Sequence, residues 1–187
     1  RMQGKNAADA IKIIEDASHA LGGKYKGTYV GSCDYSDITV FSFHPVKIIT
    51  TGEGGVATSY KKDLSLKMEK LRTHGITKNS NEFIEHQNGP WYYEQHYLGF
   101  NYRMTDIQAA LGISQMKRLD EFINRRNKIR NFYEKELNNL PLSTLEIKEN
   151  TISACHLFII RLKNKSKNYH RNVFEELRKE NIGVQLH

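Results

Sequence analysis

An α/β fold is predicted by three observations. Short runs of β-branched and aromatic residues stand at 11–14, 37–43 and 54–59. Amphipathic helical periodicity follows them at 61–73 and 105–137, and a strand-then-helix pattern restarts after residue 141. In chain order, Ile11-Lys12-Ile13-Ile14 reads as a buried strand that delivers Glu15 and Asp16 at its C-terminal end. Leu21-Gly22-Gly23 and Lys26-Gly27 mark turns. Residues 37–43 form a second strand that stops at His44-Pro45, since proline gives a ladder no N–H. Residues 54–59 start on glycines and make a third, short strand. Leu64, Leu66, Met68 and Leu71 then lie among lysines in an amphipathic helix ended by Gly75.

Residues 76–100 are polar and aromatic without period, a long loop around Gly89-Pro90-Trp91-Tyr92-Tyr93. Loops of that length inside a compact domain are often functional. Thr105-Asp106 caps a strong helix with Ile107, Ala110, Leu111, Ser114, Met116, Leu119, Phe122 and Ile123 on one broad face. Its pattern runs to Leu137, too long for a compact helix without a bend, and Asn138-Asn139-Leu140-Pro141 breaks it. A strand over 156–162, a helix over 170–180 and a strand stub, Val184-Gln185-Leu186-His187, follow. The order predicts two units, residues 1–140 and a smaller α/β unit over 141–187. The chain opens just before a strand and closes inside one, so it reads as the middle of a longer protein.

Composition narrows the function classes. The 187 residues are 39% hydrophobic and 26% charged, which excludes collagen-like, mucin-like and wholly disordered chains. No run of about 18 apolar residues exists to span a membrane, and the N-terminus carries no secretory signal. Two cysteines, Cys33 and Cys155, make no disulfide framework and suit a reduced, cytoplasmic protein. The net charge of +7 is spread along the chain, and its densest stretch, Arg125-Arg126-Asn127-Lys128-Ile129-Arg130, sits inside helical periodicity. That is a solvated helix face, although a basic balance also suits an anionic substrate such as a nucleotide.

Three segments carry chemistry. Lys47 follows a strand and precedes the glycine turn Thr51-Gly52-Glu53-Gly54-Gly55, where a backbone approaches a ligand closely. A lysine desolvated there becomes nucleophilic toward a carbonyl, the requirement for a Schiff-base lysine; a surface lysine beside a tight turn is the plainer reading. In Glu15-Asp16-Ala17-Ser18-His19, an acid at a strand's C-terminal end can reach a ligand in an α/β crevice or merely cap a turn. Gly99-Phe100-Asn101-Tyr102-Arg103-Met104 feeds a helix N-terminus, a place to hold phosphate or simply a capped helix start.

Taken in order, these segments resemble the DegT/DnrJ/EryC1/StrS sugar-nucleotide aminotransferases, fold-type I enzymes that use pyridoxal 5'-phosphate (PLP). The shared patterns are an E-D-A-x-H/Q strand end (Glu15 to His19), F-S-F-H-x-x-K (Phe41 to Lys47), T-x-E-G-G (Thr51 to Gly55) and G-x-N-x-R-M (Gly99 to Met104). The resemblance covers nearly the whole chain. It implies part of a large mixed-sheet PLP domain plus the start of a small C-terminal α/β domain. It also implies that Lys47 forms the Schiff base with PLP and that Asp16 pairs with the pyridine nitrogen. His19 would lie at the cofactor ring, Ser42 at its phosphate, and Asn101 at the phosphate of a neighbouring subunit's PLP, which makes the enzyme a homodimer. Trp91, Tyr92 and Tyr93 would lie near the nucleotide sugar. The implied activity moves an amino group, from glutamate by family habit, to a 4-keto nucleotide-linked deoxysugar for surface polysaccharide or flagellin glycan synthesis. Absent from the chain are the family's N-terminal residues that cup the phosphate, so the piece alone is expected to be inactive. A sugar dehydratase of the same fold would carry histidine where Lys47 stands, and a basic nucleic-acid-binding module would leave Asp16, Lys47 and the glycine turn unexplained.

Overall fold

The computed structural model describes residues 11–164 and 166–186 of the chain. The elements run β1 (Ile14–Asp16), β2 (Lys24–Tyr25), β3 (Thr28–Tyr29), β4 (Ile38–Ser42), β5 (Gly55–Thr58), α1 (Lys62–Arg72), β6 (Ile76–Thr77) and β7 (Glu94–Gln95). After these come α2 (Asp106–Met116), α3 (Leu119–Glu136), β8 (Leu142–Thr144), β9 (Thr151–Ile152), β10 (Ile160–Leu162) and α4 (Lys167–Lys179).

The central sheet has the order β1-β4-β5. β1 runs parallel to β4 with Asp16 opposite Val40, and β5 is antiparallel to β4 with Gly55 opposite Ser42. Side chains alternate across a strand, so one face carries Glu15, Thr39 and Phe41 while the other carries Asp16, Val40 and Ser42. The first face is buried, with Thr39 at 0% and Phe41 at 5% exposure. The Thr39 hydroxyl donates to the Glu15 carboxylate at 2.9 Å, which gives that acid a structural partner. The chain therefore turns Asp16, not Glu15, to the open face.

Beyond the strand ends, Ile48 and Ile49 pack with Leu119 and Ile123 of α3 and with Ala154, and Leu21, Phe43 and Phe122 lie against them. Burying an isoleucine or leucine side chain contributes about 2 kcal/mol, so this cluster fixes α3 across the end of the sheet. The predicted bend in the long helix falls at Lys117-Arg118, between α2 and α3. The broad apolar face expected along it is not buried as one stripe. Leu119 and Ile123 reach the core, whereas Ile107 is 85% exposed.

Other sequence expectations shift on the structure. Residues 11–14 are not a buried strand: only Ile14 belongs to β1, and Ile11, Ile13 and Ile14 are exposed. The strand expected over 156–162 shortens to β10, and α4 starts three residues early because the Ser166 hydroxyl accepts from the Tyr169 N–H. Residues 184–186 form no strand, and His187 lies outside the described residues. The Lys26-Gly27 turn closes the β2–β3 hairpin with both residues in the left-handed region (φ 48° and 84°). β8 pairs with β10 inside the second predicted unit, but β9 returns to pair with β2 in the first.

Candidate active site

The C-terminal ends of β1 and β4 place Asp16 and Ser42 on the open face of the sheet, Asp16 opposite Val40 and Ser42 two residues beyond. Past β4 the chain turns through His44 and Pro45, and the Lys47 N–H donates to the His44 carbonyl at 2.9 Å. Lys47 itself is half-buried and is followed at once by the two core isoleucines. The backbone that bears it is thus anchored on one side by the turn and on the other by apolar burial.

Asp16 is exposed, yet its charge is secured. It accepts from the Ser18 hydroxyl at 2.6 Å and from the Ser18 N–H at 3.0 Å. These bonds hold the carboxyl below the usual carboxylate range, with the fields of His19 and Lys47 acting in the same direction. His19 and Lys47 thus both lie near enough to Asp16 for their charges to be felt there. The His19 ring also packs on His156, centroid to centroid 4.4 Å.

Next to this group lies the glycine turn. The Thr51 N–H and the Thr50 hydroxyl both donate to the Phe43 carbonyl, at 3.1 and 3.0 Å, and the Thr51 hydroxyl donates to the Glu53 carbonyl at 2.6 Å. Gly54 has φ 151°, and a Cβ there would meet Thr51 and Met104, so the turn admits glycine only. The N-terminus of α2 sits on it. Gln108 donates its Nε2 to the Glu53 carbonyl at 3.0 Å while its side-chain oxygen accepts from the Thr105 N–H at 2.9 Å. Thr105 completes a capping box with Gln108, so the capping reading of this segment holds. All four sequence patterns therefore meet in one region, the fourth through Met104 beside Gly54, by contacts that no single pattern contains.

Asn101 stands exposed on an isolated bridge to Thr73, next to the end of α1, where the Phe100 and Tyr102 N–H groups donate to Leu71 and Arg72 carbonyls. The aromatic segment is more ordered than a featureless loop. β6 and β7 pair across its base, and Glu94 gathers its middle. That carboxylate accepts from the N–H groups of Ile84 and Glu85 at 2.8 Å each and from the Tyr92 hydroxyl at 3.0 Å, with His96 Nε2 2.7 Å away. Tyr92 is turned inward against Phe83, whereas Trp91 is 74% exposed and Tyr93 more than half exposed.

Sequence reading missed two residues. His156 lies in Ser153-Ala154-Cys155-His156, which has no period and no motif, so nothing local marks it. Glu94 had a faint signal, because Glu94 and His96 are two apart and share a face of an extended segment.

A parallel strand pair with a carboxylate and a lysine at its C-terminal end, closed by a glycine turn under a helix N-terminus, defines a ligand-binding α/β enzyme site. The chain belongs to the DegT/DnrJ/EryC1/StrS aminotransferase family, which it matches over residues 5–187. It is 44% identical over 181 residues to the UDP-4-amino-4,6-dideoxy-N-acetyl-beta-L-altrosamine transaminase of Campylobacter jejuni, covering 95% of this chain and 44% of that protein. Among solved structures it is similar to a Streptococcus pneumoniae protein described as a sugar aminotransferase, in its PMP form. The TM-score there is 0.85 at 32% identity, over 98% of this chain and 48% of that one. Helicobacter pylori PseC, an aminotransferase involved in the biosynthesis of pseudoaminic acid, follows with TM-score 0.79 and 31% identity, over 92% of this chain and 44% of that one. The fold is that of the PLP-dependent sugar aminotransferases, and the chain spans under half the length of these relatives.

Proposed function

We propose that this chain carries the lysine-bearing part of a PLP-dependent aminotransferase that places an amino group on a 4-keto, nucleotide-linked deoxysugar. One observation carries the reading: at a strand end the Asp16 carboxylate is held by two Ser18 hydrogen bonds, within reach of the charges of His19 and Lys47. These residues suit PLP. When bound, that cofactor supplies an electron-accepting pyridinium ring and an aldehyde carbon to which amino groups attach. Asp16, its charge secured by Ser18, would keep the proton on the pyridine nitrogen. The amine of Lys47 would hold the cofactor at the aldehyde carbon and move protons at the reacting carbon. His19 would lie along the ring, and Ser42 would donate to the phosphate beside the glycine turn.

The remaining assignments belong to the same proposal. Trp91, Tyr92 and Tyr93 would border the nucleotide sugar, glutamate would give the amino group, and the enzyme would work in the cytoplasm. No described helix is long and apolar enough to cross a membrane. The likeness to the altrosamine transaminase of Campylobacter jejuni, and to Helicobacter pylori PseC of pseudoaminic acid biosynthesis, supports pseudaminic acid synthesis over the chemistry of the GDP-perosamine synthase of Caulobacter vibrioides, which is similar over 70% of this chain. A homodimer is supported by an apolar rim formed by Leu98, Phe100, Tyr102, Ile107 and Leu111, all exposed, with Asn101 among them. The two-unit division at residue 140 is supported by the β8–β10 pair, with β9 as the tie back to the first unit.

The test is covalent capture. Borohydride reduction of the PLP-loaded full-length protein, followed by peptide mapping, is expected to label Lys47 alone; a label on Lys24 or Lys26 overturns the assignment.

A further inference from the structure

The segment that follows β9 is held with unusual thoroughness for irregular chain. Asn127 of α3 donates to the Ser153 carbonyl at 2.9 Å, and its Oδ1 stands 3.4 Å from the Cys155 thiol. Arg126 spreads one Nη1 over the carbonyls of Cys155 and His156, 3.2 Å to each. Ala154 is 3% exposed in the core beside Ile48 and Ile49. Cys155 is kept in the left-handed region at φ 48°, a conformation that surrounding contacts must impose on a non-glycine residue. All of these restraints converge on the backbone immediately before, or at, His156. What His156 then does is pack its ring against His19, at 4.4 Å and 55°.

His19 stands on a different kind of element. It rides on an exposed turn after β1, where the Ala20 N–H donates back to Ala17 at 2.9 Å. A side chain on such a turn samples several rotamers unless something packs on it. The ring pair supplies that restraint, from a segment some 130 residues further along the chain and clamped by a different helix.

We propose that His156 is a positioning residue: α3, through Arg126 and Asn127, fixes it so that its ring holds the His19 imidazole at the strand-end carboxylate. This rests on the reading of the site as a PLP site for its consequence, though not for its geometry. It also gives the β9 return a purpose, since β9 carries the second predicted unit back to where it can touch the first unit's chemistry.

The experiment uses histidine ring resonances of the full-length protein without cofactor, and PLP itself as the titrated probe. In the cofactor-free protein, His156→Ala is expected to shift and broaden the His19 resonances, and His156→Phe to restore their line width. PLP binding should weaken about three- to tenfold in His156→Ala, the range an aromatic pair contributes, and recover in His156→Phe. In a His19→Ala background the His156→Ala change should add less than about twofold. Should the alanine variant fail to fold, His156→Gln carries the same comparison. The proposal is overturned if His19 resonances are unmoved by loss of the ring, or if the full binding effect persists without His19. A wild-type protein that does not bind PLP would instead refute the functional reading, and the ring resonances would still decide the positioning role.

Discussion

At the strand ends, Asp16 lies exposed with its charge facing His19 and Lys47, whereas in the aromatic loop the Glu94 side chain is only 9% exposed and turned to its own chain. Both carboxyls sit below their ordinary range, for different reasons. Two bonds from Ser18 secure Asp16 and leave its outward face free. Burial alone would raise Glu94, but His96, the N–H groups of Glu85 and Ile84, and the Tyr92 hydroxyl together push it down to about 2. In the proposed function, Asp16 is a charge kept for a ligand. Glu94 is a charge consumed in folding a loop, and what the loop displays outward is aromatic surface at Trp91 and Tyr93. The difference separates a reacting region built on sheet and core from a contact region built on a self-contained polar knot.

The largest expected effect sits on the sheet side. Lys47→Ala should lower turnover of the full-length enzyme by at least about three powers of ten, since no other group in the cluster can replace its amine. Folding should be preserved, because the core contacts begin at Ile48. A variant that unfolds would mean that Lys47 belongs to the packing and not to the site. Asp16→Asn comes next. It keeps the shape and the bonds that Ser18 can give, but removes the charge. The expected loss is on the order of 100-fold in kcat with little change in KM, as for a preorganised electrostatic contact. A raised KM with normal kcat would make Asp16 a turn cap.

The place of Lys47 was legible in the sequence because a strand of useful length announces its end, whereas the strand expected before Asp16 shrank to three residues. Five residues of β4, β-branched and aromatic, stop at His44-Pro45, and four residues of β5 start on glycine. The capped start of α2 was legible, and so was the need for a bend in so long a helix, but its place at Lys117-Arg118 was not marked by any break in the period. What stayed hidden has no period to read. β2, β3, β6, β7 and β9 are two residues each, too short to show a period, and β9 pairs only with a strand far along the chain, Ile152 with Lys24. His156 was hidden because its ring partner, His19, lies far away in the chain, and Glu94 showed only the faint two-residue spacing to His96. The helix face was misjudged at Ile107, where apolar residues point away from this chain's own core.

The loop side of the comparison can be broken by pH. Glu94 has a folded value depressed from 4.5 to about 2, so its contribution is complete above pH 4.5 and is lost as pH falls through about 2. Hydrogen exchange at the Ile84 and Glu85 amides, which donate to it, reports this locally. Their protection should fall between pH 4.5 and 2 in the wild type. In Glu94→Gln it should be about tenfold lower at pH 6 and flat across that window, since an amide accepts less strongly than a carboxylate. Protection that ignores both changes would show that β6 and β7 alone close the loop.

The smallest effect belongs to the junction between the two regions. Thr105 caps α2, its hydroxyl accepting from the Gln108 N–H at 3.3 Å. Thr105→Ala removes that acceptor, yet it leaves the Gln108 side chain bonded to the Thr105 N–H and to the Glu53 carbonyl. The bond that ties the helix start to the glycine turn, Gln108 to Glu53, survives, so the loss of stability should be about 1 kcal/mol or less, measured as a shift in urea midpoint at constant slope. Turnover should stay within about twofold, because the cap shapes the turn through Gln108. A loss of PLP affinity beyond about tenfold at the same small stability change would give the hydroxyl a different office. The helix N-terminus would then be holding the cofactor's phosphate directly, and the line between a structural junction and the reacting region would move to include Thr105.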